Sequence, residues 1–426
     1  MSRRVIDPGG PLRGRVRLPG CKGISHRALL LASVADGRSV LRNLATGEDV
    51  ARTRTALEAM GIECIDTDGS VTVVGRGFDM ISEPDAPIDC GNSGTTMRML
   101  AGLLSGRPLD AVLVGDESLS RRPMGRVVEP LRRLGARIDT TDGHAPLTIT
   151  GGVLVGADVE LPMASGQVKS ALLLAGLQAS GTTTVREPAP SRDHTERLLA
   201  ALGAPVTRID DRTVRVGTIG ALDRFDYEIP GDASSAAFLV VAAATVPGSE
   251  VTIEGVNLNP QRIAYLDVLR TMGADVTTTV VEERLGEPVG EIAVRYTALR
   301  GTTIASTEGI VDELPILAVA AATAAGTSEI VDAAELRVKE SDRITTTAAM
   351  LDAFGTEVRT TEDGLVVRGG PRRGATVDSA GDHRIAMCAA VAALAADGAT
   401  TIGGWEAVDV SFPGFESVLA TLRDAA

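Results

Sequence analysis

Cations recur in this sequence at points where a helix is expected to begin. Lys22 and Arg27 flank the start of one apolar run, and Arg384 follows Gly381 and Asp382 at the start of another. Lysine and arginine normally favour the carboxyl end of a helix, where they complement the helix dipole. At the amino end, free backbone N–H groups already attract negative charge. The spacing therefore predicts local sites for anions.

Carboxylates stand close to these cations. Asp312 precedes a further apolar helix, and Glu340 lies between Lys339 and Arg343. A positioned carboxylate can act as a general base or a general acid, which contributes about 10²- to 10⁴-fold in rate. We therefore expect a reaction on anionic substrates in which a proton moves, with Asp312 and Glu340 as the acid–base candidates.

Several other chemistries lack their usual signatures in this sequence. It contains no GxxxxGK[ST] loop, no GxGxxG after a strand, no HExxH and no GxSxG. Nucleotide hydrolysis, dinucleotide redox chemistry, zinc hydrolysis and serine acyl transfer are therefore not indicated. The cysteines are too scattered for a zinc site or a disulfide framework. They are Cys21, Cys64, Cys90 and Cys388. We expect no cofactor and no metal.

Composition narrows the choice of partners. The 426-residue chain has a formal net charge of -14 and is 44% hydrophobic but only 2% aromatic, which predicts an aliphatic core. Nucleic acids and anionic membranes require a positive field, so neither is expected to bind. Residues 1–10 lack the apolar segment of a secretory signal, and the longest apolar run, 385–396, is too short to span a bilayer. We expect a cytoplasmic location.

The elements that position the charged residues form a repeat. Each of six units, at a spacing of roughly 70 residues, has a polar start, an Ala- and Leu-rich helix, a glycine turn, a short strand and a second helix. A Leu-Gly-Ala-like stop follows, except that the sixth unit lacks a clear final glycine. The starts are Ile24, Asn92, Ala164, Gly231, Asp312 and Gly381. The first helices, such as 171–177, are apolar all round and should be buried, whereas the second helices, such as 49–60, are amphipathic and should face outward.

The repeat also predicts the domain organisation. Gly231 lies between the third and fourth units, and the strand before Pro19 is expected to pair with the second half. The predicted α/β architecture therefore has one discontinuous domain, 1–20 plus 231–426, and a second domain, 21–230. If the inner helices run parallel within each half, their amino ends converge and their partial positive charges add. We expect the active site in the cleft between the two domains.

In their order and spacing, the motifs resemble the 5-enolpyruvylshikimate-3-phosphate synthase family over essentially the whole chain. The matching stretches are Pro19-Gly20-Cys21-Lys22 with Arg27, Gly91-Asn92-Ser93-Gly94-Thr95, Arg122-Pro123, Ser165-Gly166-Gln167, Ser191-Arg192-Asp193-His194-Thr195-Glu196, Arg337-Val338-Lys339-Glu340-Ser341-Asp342-Arg343 and Gly381-Asp382-His383-Arg384. Ile24-Ser25-His26-Arg27 and Asp116-Glu117-Ser118 resemble the bacterial branch called class II.

This resemblance implies an enolpyruvyl transferase fold of two similar domains. Each would contain three βαβαββ repeats around buried parallel helices, in the arrangement called an inside-out α/β barrel. It further implies transfer of the enolpyruvyl group of phosphoenolpyruvate to the 5-hydroxyl of shikimate 3-phosphate, with release of phosphate, in chorismate and aromatic amino-acid biosynthesis. We expect a monomer whose partners are these two small anions.

The resemblance also implies roles for individual residues. Those expected to bind phosphoenolpyruvate are Lys22, Gly94, Arg122, Gln167, Arg343 and Arg384. Those expected to bind shikimate 3-phosphate are Lys22, Gly23, Arg27, Ser165, Gln167, Asp312 and Lys339. As a hypothesis, Asp312 takes the 5-hydroxyl proton, while Glu340 and Lys22 handle protonation of the methylene carbon and of the departing group.

Three positions depart from the commonest family pattern. Gly23 stands where the family usually has serine, Gly166 where many members have serine or alanine, and Val410 where many have lysine. An enolpyruvyl transferase for another acceptor and a non-catalytic anion-binding paralogue therefore remain as alternatives. The sister UDP-N-acetylglucosamine enolpyruvyl transferase usually carries a reactive cysteine in a mobile loop. The comparable region here, 116–124, has none.

Overall fold

The chain divides into two compact units. The structure is a computed structural model, and it describes residues 2–307 and 309–424. The first unit combines Met1–Pro19, Pro230–Glu282 and Pro288–Ala426, and the second combines Gly20–Ile229 with the short segment Glu283–Glu287. Each unit has its own hydrophobic core.

Two strands, β1 (Arg3–Ile6) and β2 (Arg13–Arg17), precede the helical repeats. The next elements along the chain are α1 (Lys22–Val34), β3 (Ala35–Arg42), α2 (Glu48–Ala59), β4 (Glu63–Thr67), β5 (Ser70–Arg76), β6 (Ile88–Asp89), α3 (Gly94–Ser105), β7 (Asp110–Val114), α4 (Glu117–Ser120), α5 (Gly125–Arg132), β8 (Arg137–Thr141), β9 (His144–Thr150), β10 (Asp158–Glu160), α6 (Gly166–Gly176), β11 (Thr182–Arg186), α7 (His194–Ala201), β12 (Val206–Arg208), β13 (Thr213–Gly217), β14 (Leu222–Asp223) and β15 (Asp226–Glu228).

The remaining repeats follow the same plan. Their elements are α8 (Ala233–Thr245), β16 (Glu250–Asn257), α9 (Pro260–Ile263), α10 (Tyr265–Thr271), β17 (Asp275–Arg284), β18 (Glu287–Arg295), β19 (Thr303–Ala305), α11 (Leu314–Thr323), β20 (Thr327–Val331), α12 (Arg343–Ala353), β21 (Glu357–Thr360), β22 (Leu365–Arg368), β23 (Thr376–Asp378), α13 (His383–Leu394), β24 (Thr400–Gly403) and α14 (Phe415–Asp424). Short 3-10 turns lie at Phe78–Met80, Val311–Glu313, Ala334–Val338 and Trp405–Val410.

Within the described residues the strands form six sheets, five of which share one plan. In each of the five, the strand after an inner helix pairs in parallel with one neighbour and antiparallel with a strand of the following hairpin. Their orders are β6-β7-β9-β8, β10-β11-β13-β12, β19-β20-β22-β21, β2-β16-β18-β17 and β14-β3-β5-β4, with β15 also on β3. In the sixth, β1-β24-β23, β1 lies antiparallel to β24 in the place of a hairpin. Over the described residues, none of the six closes into a barrel.

The inner helices are buried, as their composition predicts. They are α1, α3 and α6 in the second unit and α8, α11 and α13 in the first, and nearly all their residues are inaccessible to solvent. Within the first unit, α8, α11 and α13 contact one another. The outer helix α2 buries only Val50, Thr53, Ala56 and Leu57, which confirms its amphipathic character. None of the described helices combines the length and apolarity of a membrane span.

Candidate active site

In the second unit, predicted site residues stand at the amino ends of the inner helices. Lys22 and Gly23 open α1, and Gly94 opens α3. Ser165 caps α6, where its hydroxyl oxygen accepts a hydrogen bond from the Val168 N–H at 3.4 Å. Because these helix starts also carry uncompensated backbone N–H groups, they suit anionic ligands.

The ammonium group of Lys22 is paired but still accessible. Its Nζ lies 3.0 Å from Asp49 Oδ2 on α2, and 28% of the lysine side chain is exposed. The Asp49 carbonyl in turn accepts a hydrogen bond from Thr96 Oγ1 at 3.3 Å. Helix α2 therefore joins the cation of α1 to the start of α3.

Two guanidinium groups flank Gly94. A Cβ atom at this position would lie 2.7 Å from Arg98 Nη1 and 3.6 Å from Arg122 Nη1. Arg122 donates from Nη2 to Asn92 Oδ1 at 2.5 Å, which fixes its direction. The absence of a side chain at Gly94 thus lets the Arg98 guanidinium lie directly against its backbone, with Arg122 close by.

Gln167 connects the starts of α3 and α6. Its Oε1 accepts a hydrogen bond from Arg98 Nη1 at 2.6 Å, and its Nε2 donates to Thr95 Oγ1 at 2.9 Å. Both ends of the amide are therefore held by α3, so Gln167 has one orientation at the start of α6.

Arg27 is 5% exposed, and each of its three guanidinium nitrogens donates a hydrogen bond within the protein. Its Nε donates to Thr195 Oγ1 at 2.7 Å, and its Nη2 donates to Ser170 Oγ at 2.8 Å and to the Gly166 carbonyl at 3.1 Å. Its Nη1 donates to the Gly23 carbonyl at 2.7 Å. Burial lowers the pKa of Arg27 to about 10. Arg27 therefore ties α1 to α6 and α7, and its predicted contact with substrate stays a prediction.

In the first unit, Asp312 lies among three cations. Its Oδ1 is 3.6 Å from Lys339 Nζ and 3.5 Å from Arg343 Nη1. Its backbone carbonyl accepts a hydrogen bond from Arg384 Nη1 at 2.7 Å. Both the side chain and the main chain of Asp312 are therefore fixed relative to cations.

Arg343, the first residue of α12, is almost fully buried and is held by carboxylates. Its Nε lies 2.8 Å from Asp382 Oδ2, and its Nη2 lies 2.6 Å from Glu340 Oε2. Burial acts against the charged form, but Asp382 and Glu340 outweigh it and raise the pKa of Arg343. In the same way burial opposes ionisation of Asp382, yet Arg343 and His383 lower its pKa. Arg343 and Asp382 therefore stay ionised as a pair although both are buried.

The guanidinium of Arg384 is oriented by a second buried network. Its Nη2 donates to Ser234 Oγ at 2.7 Å, and its Nη1 lies 3.7 Å from Glu313 Oε1. The Ser234 hydroxyl donates to Glu313, whose Oε1 is also 3.4 Å from Arg262 Nη2. Arg384 thus approaches Asp312 in a fixed direction.

The predicted residues therefore fall into two clusters, one in each unit. The second-unit cluster contains Lys22, Gly23, Arg27, Gly94, Arg122, Ser165 and Gln167. The first-unit cluster contains Asp312, Lys339, Glu340, Arg343 and Arg384.

Other residues in these hydrogen-bond networks were absent from the predicted sets. They are Asp49, Asn92, Arg98, Ser234 and Asp382. Four of them lie at or beside the starts of inner helices, and this position in the sequence could have indicated that they belong to the site. Asp49 lies on an amphipathic outer helix, where a carboxylate looks like any solvated residue.

The histidine, cysteine and acidic side chains bear on whether a metal could bind. Within residues 2–307 and 309–424, no group of three or more His, Cys, Asp or Glu side chains could hold a metal ion. The four cysteines are free thiols, and Cys21, Cys90 and Cys388 are buried. Burial raises the pKa of the Cys90 thiol to about 12.

Comparison with known proteins gives a consistent picture. A sequence model of EPSP synthase (3-phosphoshikimate 1-carboxyvinyltransferase) matches residues 6–419. The 3-phosphoshikimate 1-carboxyvinyltransferase of Methylococcus capsulatus is 48% identical over 423 residues, which cover 98% of this chain and 97% of the relative. That of Synechococcus sp. is 50% identical over 435 residues, covering 99% and 100%.

Solved structures show the same similarity. An EPSP synthase from Acinetobacter baumannii has a TM-score of 0.88 and 40% sequence identity, covering 99% of this chain and 98% of the other. The enolpyruvyl transferase NikO from Streptomyces tendae has a TM-score of 0.79 over 98% and 96%, but at 21% identity it supports the fold alone. The resemblance seen in the motifs is thus confirmed over nearly the whole length, and the chain belongs to the EPSP synthase family.

Proposed function

We propose that this chain transfers the enolpyruvyl group of phosphoenolpyruvate to the 5-hydroxyl of shikimate 3-phosphate and releases phosphate. The observation that carries this proposal is the cluster around Asp312, a carboxylate 3.5–3.6 Å from two cations in a chain of this family. We further propose that the protein acts as a cytoplasmic monomer in chorismate and aromatic amino-acid biosynthesis.

The donor is a small dianion or trianion with a carboxylate and a phosphate. Arginine presents planar forks that match both groups, and lysine supplies a point charge. In this proposal Lys22 and Arg122 of the second-unit cluster and Arg343 and Arg384 of the first-unit cluster bind it. Gly94 supports these contacts because it has no side chain between its backbone and the guanidinium groups of Arg98 and Arg122. Gln167 is linked to the same place by its hydrogen bond from Arg98.

The acceptor carries a carboxylate, a phosphate and hydroxyl groups. We assign it to Gly23, Arg27, Ser165 and Gln167 in the second-unit cluster, together with Lys22. In the first-unit cluster, Lys339 and Asp312 take part, and their 3.6 Å separation lets one hydroxyl group meet both. That the two clusters serve one cleft stays a prediction.

The proposed chemistry proceeds through a tetrahedral intermediate. Asp312 accepts the 5-hydroxyl proton while the hydroxyl oxygen bonds to C2 of phosphoenolpyruvate, and Glu340 protonates the C3 methylene carbon. The resulting methyl group then returns a proton to Glu340 as the bond from C2 to the phosphate oxygen breaks. Lys22 protonates the departing phosphate, and the proton held by Asp312 replaces the one that Lys22 gives up.

The alternative functions are not favoured. A non-catalytic paralogue would have lost acid–base residues, but Lys22, Asp312 and Glu340 are all present and each has an ionic partner. A different acceptor would be expected among relatives with a different name, whereas relatives covering nearly the whole chain are named for 3-phosphoshikimate.

The test is acceptor-dependent phosphate release by the purified protein. Reactions with both substrates are compared with reactions that lack either one. We expect Asp312→Ala to lower kcat by about 10²- to 10⁴-fold, as for loss of a general base. Glu335→Gln is the matched control, because Glu335 contacts the same Lys339 at 2.7 Å. Donor binding without acceptor-dependent release would contradict the assigned acceptor.

A further inference from the structure

Glu187 joins the start of α6 to the loop before α7. It directly follows β11 and is 2% exposed. One of its carboxylate oxygens, Oε1, accepts hydrogen bonds from the Ser165 backbone N–H at 2.9 Å and from Ser191 Oγ at 2.6 Å. A single buried atom therefore fixes two segments that are far apart in sequence.

This contact replaces the missing half of a local capping box, since Ser165 itself already caps α6 through its hydroxyl. In a capping box, a Glu or Gln three residues after the cap residue accepts a hydrogen bond from the cap residue's own N–H. Here that position is Val168, which has no acceptor in its side chain. Glu187 supplies the acceptor from another element, so the conformation of Ser165 depends on where Glu187 is held.

Lys169 holds Glu187 in place. Its Nζ lies 2.7 Å from Glu187 Oε2 and 2.8 Å from Glu196 Oε1, and its side chain is 5% exposed. Burial acts against the charged lysine, but Glu196 and Glu187 overcome it and raise the pKa of Lys169. The two glutamates differ in their other contacts, since Glu187 reaches Ser165 and Ser191 whereas Glu196 borders a cavity of about 230 Å³.

The loop before α7 therefore packs directly against the start of α6. A Cβ atom at Gly166 would lie 3.0 Å from Arg192 Cβ and 3.1 Å from the Arg192 carbonyl oxygen. Glycine at this position, where many family members have serine or alanine, allows the loop to lie this near to α6. Glu187 holds both sides of this contact, because it accepts hydrogen bonds from Ser165 at the helix start and from Ser191 in the loop.

We infer that Glu187 is a positioning residue for the acceptor: it fixes Ser165 and the adjoining loop in the geometry that binds a phosphorylated hydroxy acid. This inference rests on the proposed function, in which Ser165 contacts shikimate 3-phosphate. Gly94 and Arg122, which are assigned to the donor alone, make their own contacts elsewhere. Disturbing Glu187 should therefore affect the two substrates unequally.

Steady-state kinetics with each substrate varied in turn test this inference. Glu187→Gln keeps the shape but loses the ionic contact with Lys169. Glu187→Asp keeps the charge, so it is expected to fold, but its shorter side chain cannot reach both serines. We expect KM for shikimate 3-phosphate to rise about tenfold in both variants, the scale of one lost hydrogen bond. KM for phosphoenolpyruvate and kcat should change less than about threefold.

Glu196→Gln is the matched control, because it neutralises the other glutamate of the same lysine. We expect all its kinetic parameters to stay within about threefold of wild type. An equal loss for both substrates in Glu187→Asp, or no shift in a variant whose thermal unfolding matches wild type, would overturn the inference. Wild-type protein without acceptor-dependent phosphate release would instead contradict the proposed function, and the inference with it.

Discussion

At Gly94, backbone and two guanidinium groups share a volume that a side chain would fill. A methyl group there would lie 2.7 Å from Arg98 Nη1, so Arg98 would have to move and its 2.6 Å hydrogen bond to Gln167 would be disturbed. We expect Gly94→Ala to raise KM for phosphoenolpyruvate at least about tenfold. Kinetics at saturating acceptor, with the donor varied, measure this change.

Gly125→Ala provides the control for that substitution. Gly125 is also the first residue of a helix, α5, but a Cβ atom there would have nothing within 4 Å. We expect unchanged kinetics and a slightly higher free energy of unfolding, because alanine loses less backbone entropy than glycine in a helix. An unchanged donor KM in Gly94→Ala would contradict the placement of the donor beside this residue.

Gly23 is different, because its surroundings have room for a side chain. The nearest atoms to an added Cβ would be Arg27 Nη1 at 3.5 Å and His194 Cδ2 at 3.8 Å, both ordinary contacts. Since the family usually has serine here, the missing group is a hydroxyl. We expect Gly23→Ser to lower KM for shikimate 3-phosphate about three- to tenfold, the value of one added hydrogen bond. Gly23→Ala is the comparison: a decrease as large as that of serine would show that the hydroxyl is not responsible.

Among the secondary-structure elements, α1, α2 and α3 are joined by a buried chain of polar side chains. His26 Nδ1 on α1 lies 2.7 Å from Thr53 Oγ1 on α2, which lies 2.7 Å from Thr96 Oγ1 on α3. The imidazole is fully buried, and this burial is the main reason that its pKa falls to about 3. Lys22 and Arg27 lower it further, while Asp49 opposes them. The three helices are therefore packed around a neutral histidine.

This histidine makes the stability of the helix packing depend on pH. The pKa of His26 is about 3 in the folded protein, against about 6.5 in an unfolded chain. Below pH 6.5 the unfolded chain binds a proton that the folded protein excludes, so stability falls as pH falls. We expect His26 to account for a loss of about 2 kcal/mol between pH 7 and pH 5. Urea unfolding of wild type and His26→Asn at both pH values measures this difference.

His144→Asn serves as the control. This histidine is partly exposed, and its Nδ1 donates a hydrogen bond to the Asp142 carbonyl at 2.7 Å. It should lose as much stability on acidification as wild type does. If His26→Asn also loses as much as wild type, the buried imidazole is not the cause of the pH dependence.

Much of the arrangement of the helices could be predicted from the sequence. The inner helices are recognisable from apolar residues on every face, and the prediction of Lys22 at a helix start is confirmed. The burial of Arg343 could not be predicted, because its partner Asp382 comes from the next repeat. The role of Glu187 at Ser165 had no local signal either, since twenty-one residues separate the two.

For the whole molecule, the N-terminal residues are the clearest test of the two-unit division. Strand β2 pairs in parallel with β16, as the strand before Pro19 was predicted to pair with the second half, and β1 pairs with β24. Ile6, Leu12 and Val16 belong to the core of the first unit. Each fully buried side chain of this kind contributes about 1.5–3 kcal/mol.

Deleting residues 1–17 should therefore loosen the first unit selectively. We expect amide hydrogen exchange in α8 and α13 to accelerate more than about 100-fold, while α1, α3 and α6 keep their protection. Exchange followed by mass spectrometry measures both units in one experiment. Val5→Thr, at a side chain that is 55% exposed, is the control and should change neither. Equal acceleration in both units would contradict their independence.

The pairing of β1 with β24 also has a consequence for synthesis on the ribosome. The second unit is almost one continuous run, Gly20–Ile229, so nearly all its strand partners have been made once that run is complete. Arg3 and Gly403, by contrast, are partners at opposite ends of the chain. At about 5–20 residues per second, β1 waits roughly 20–80 s for its partner. Strand β1 is therefore paired long after it has been made, and until then its edge is open to other chains and to chaperones.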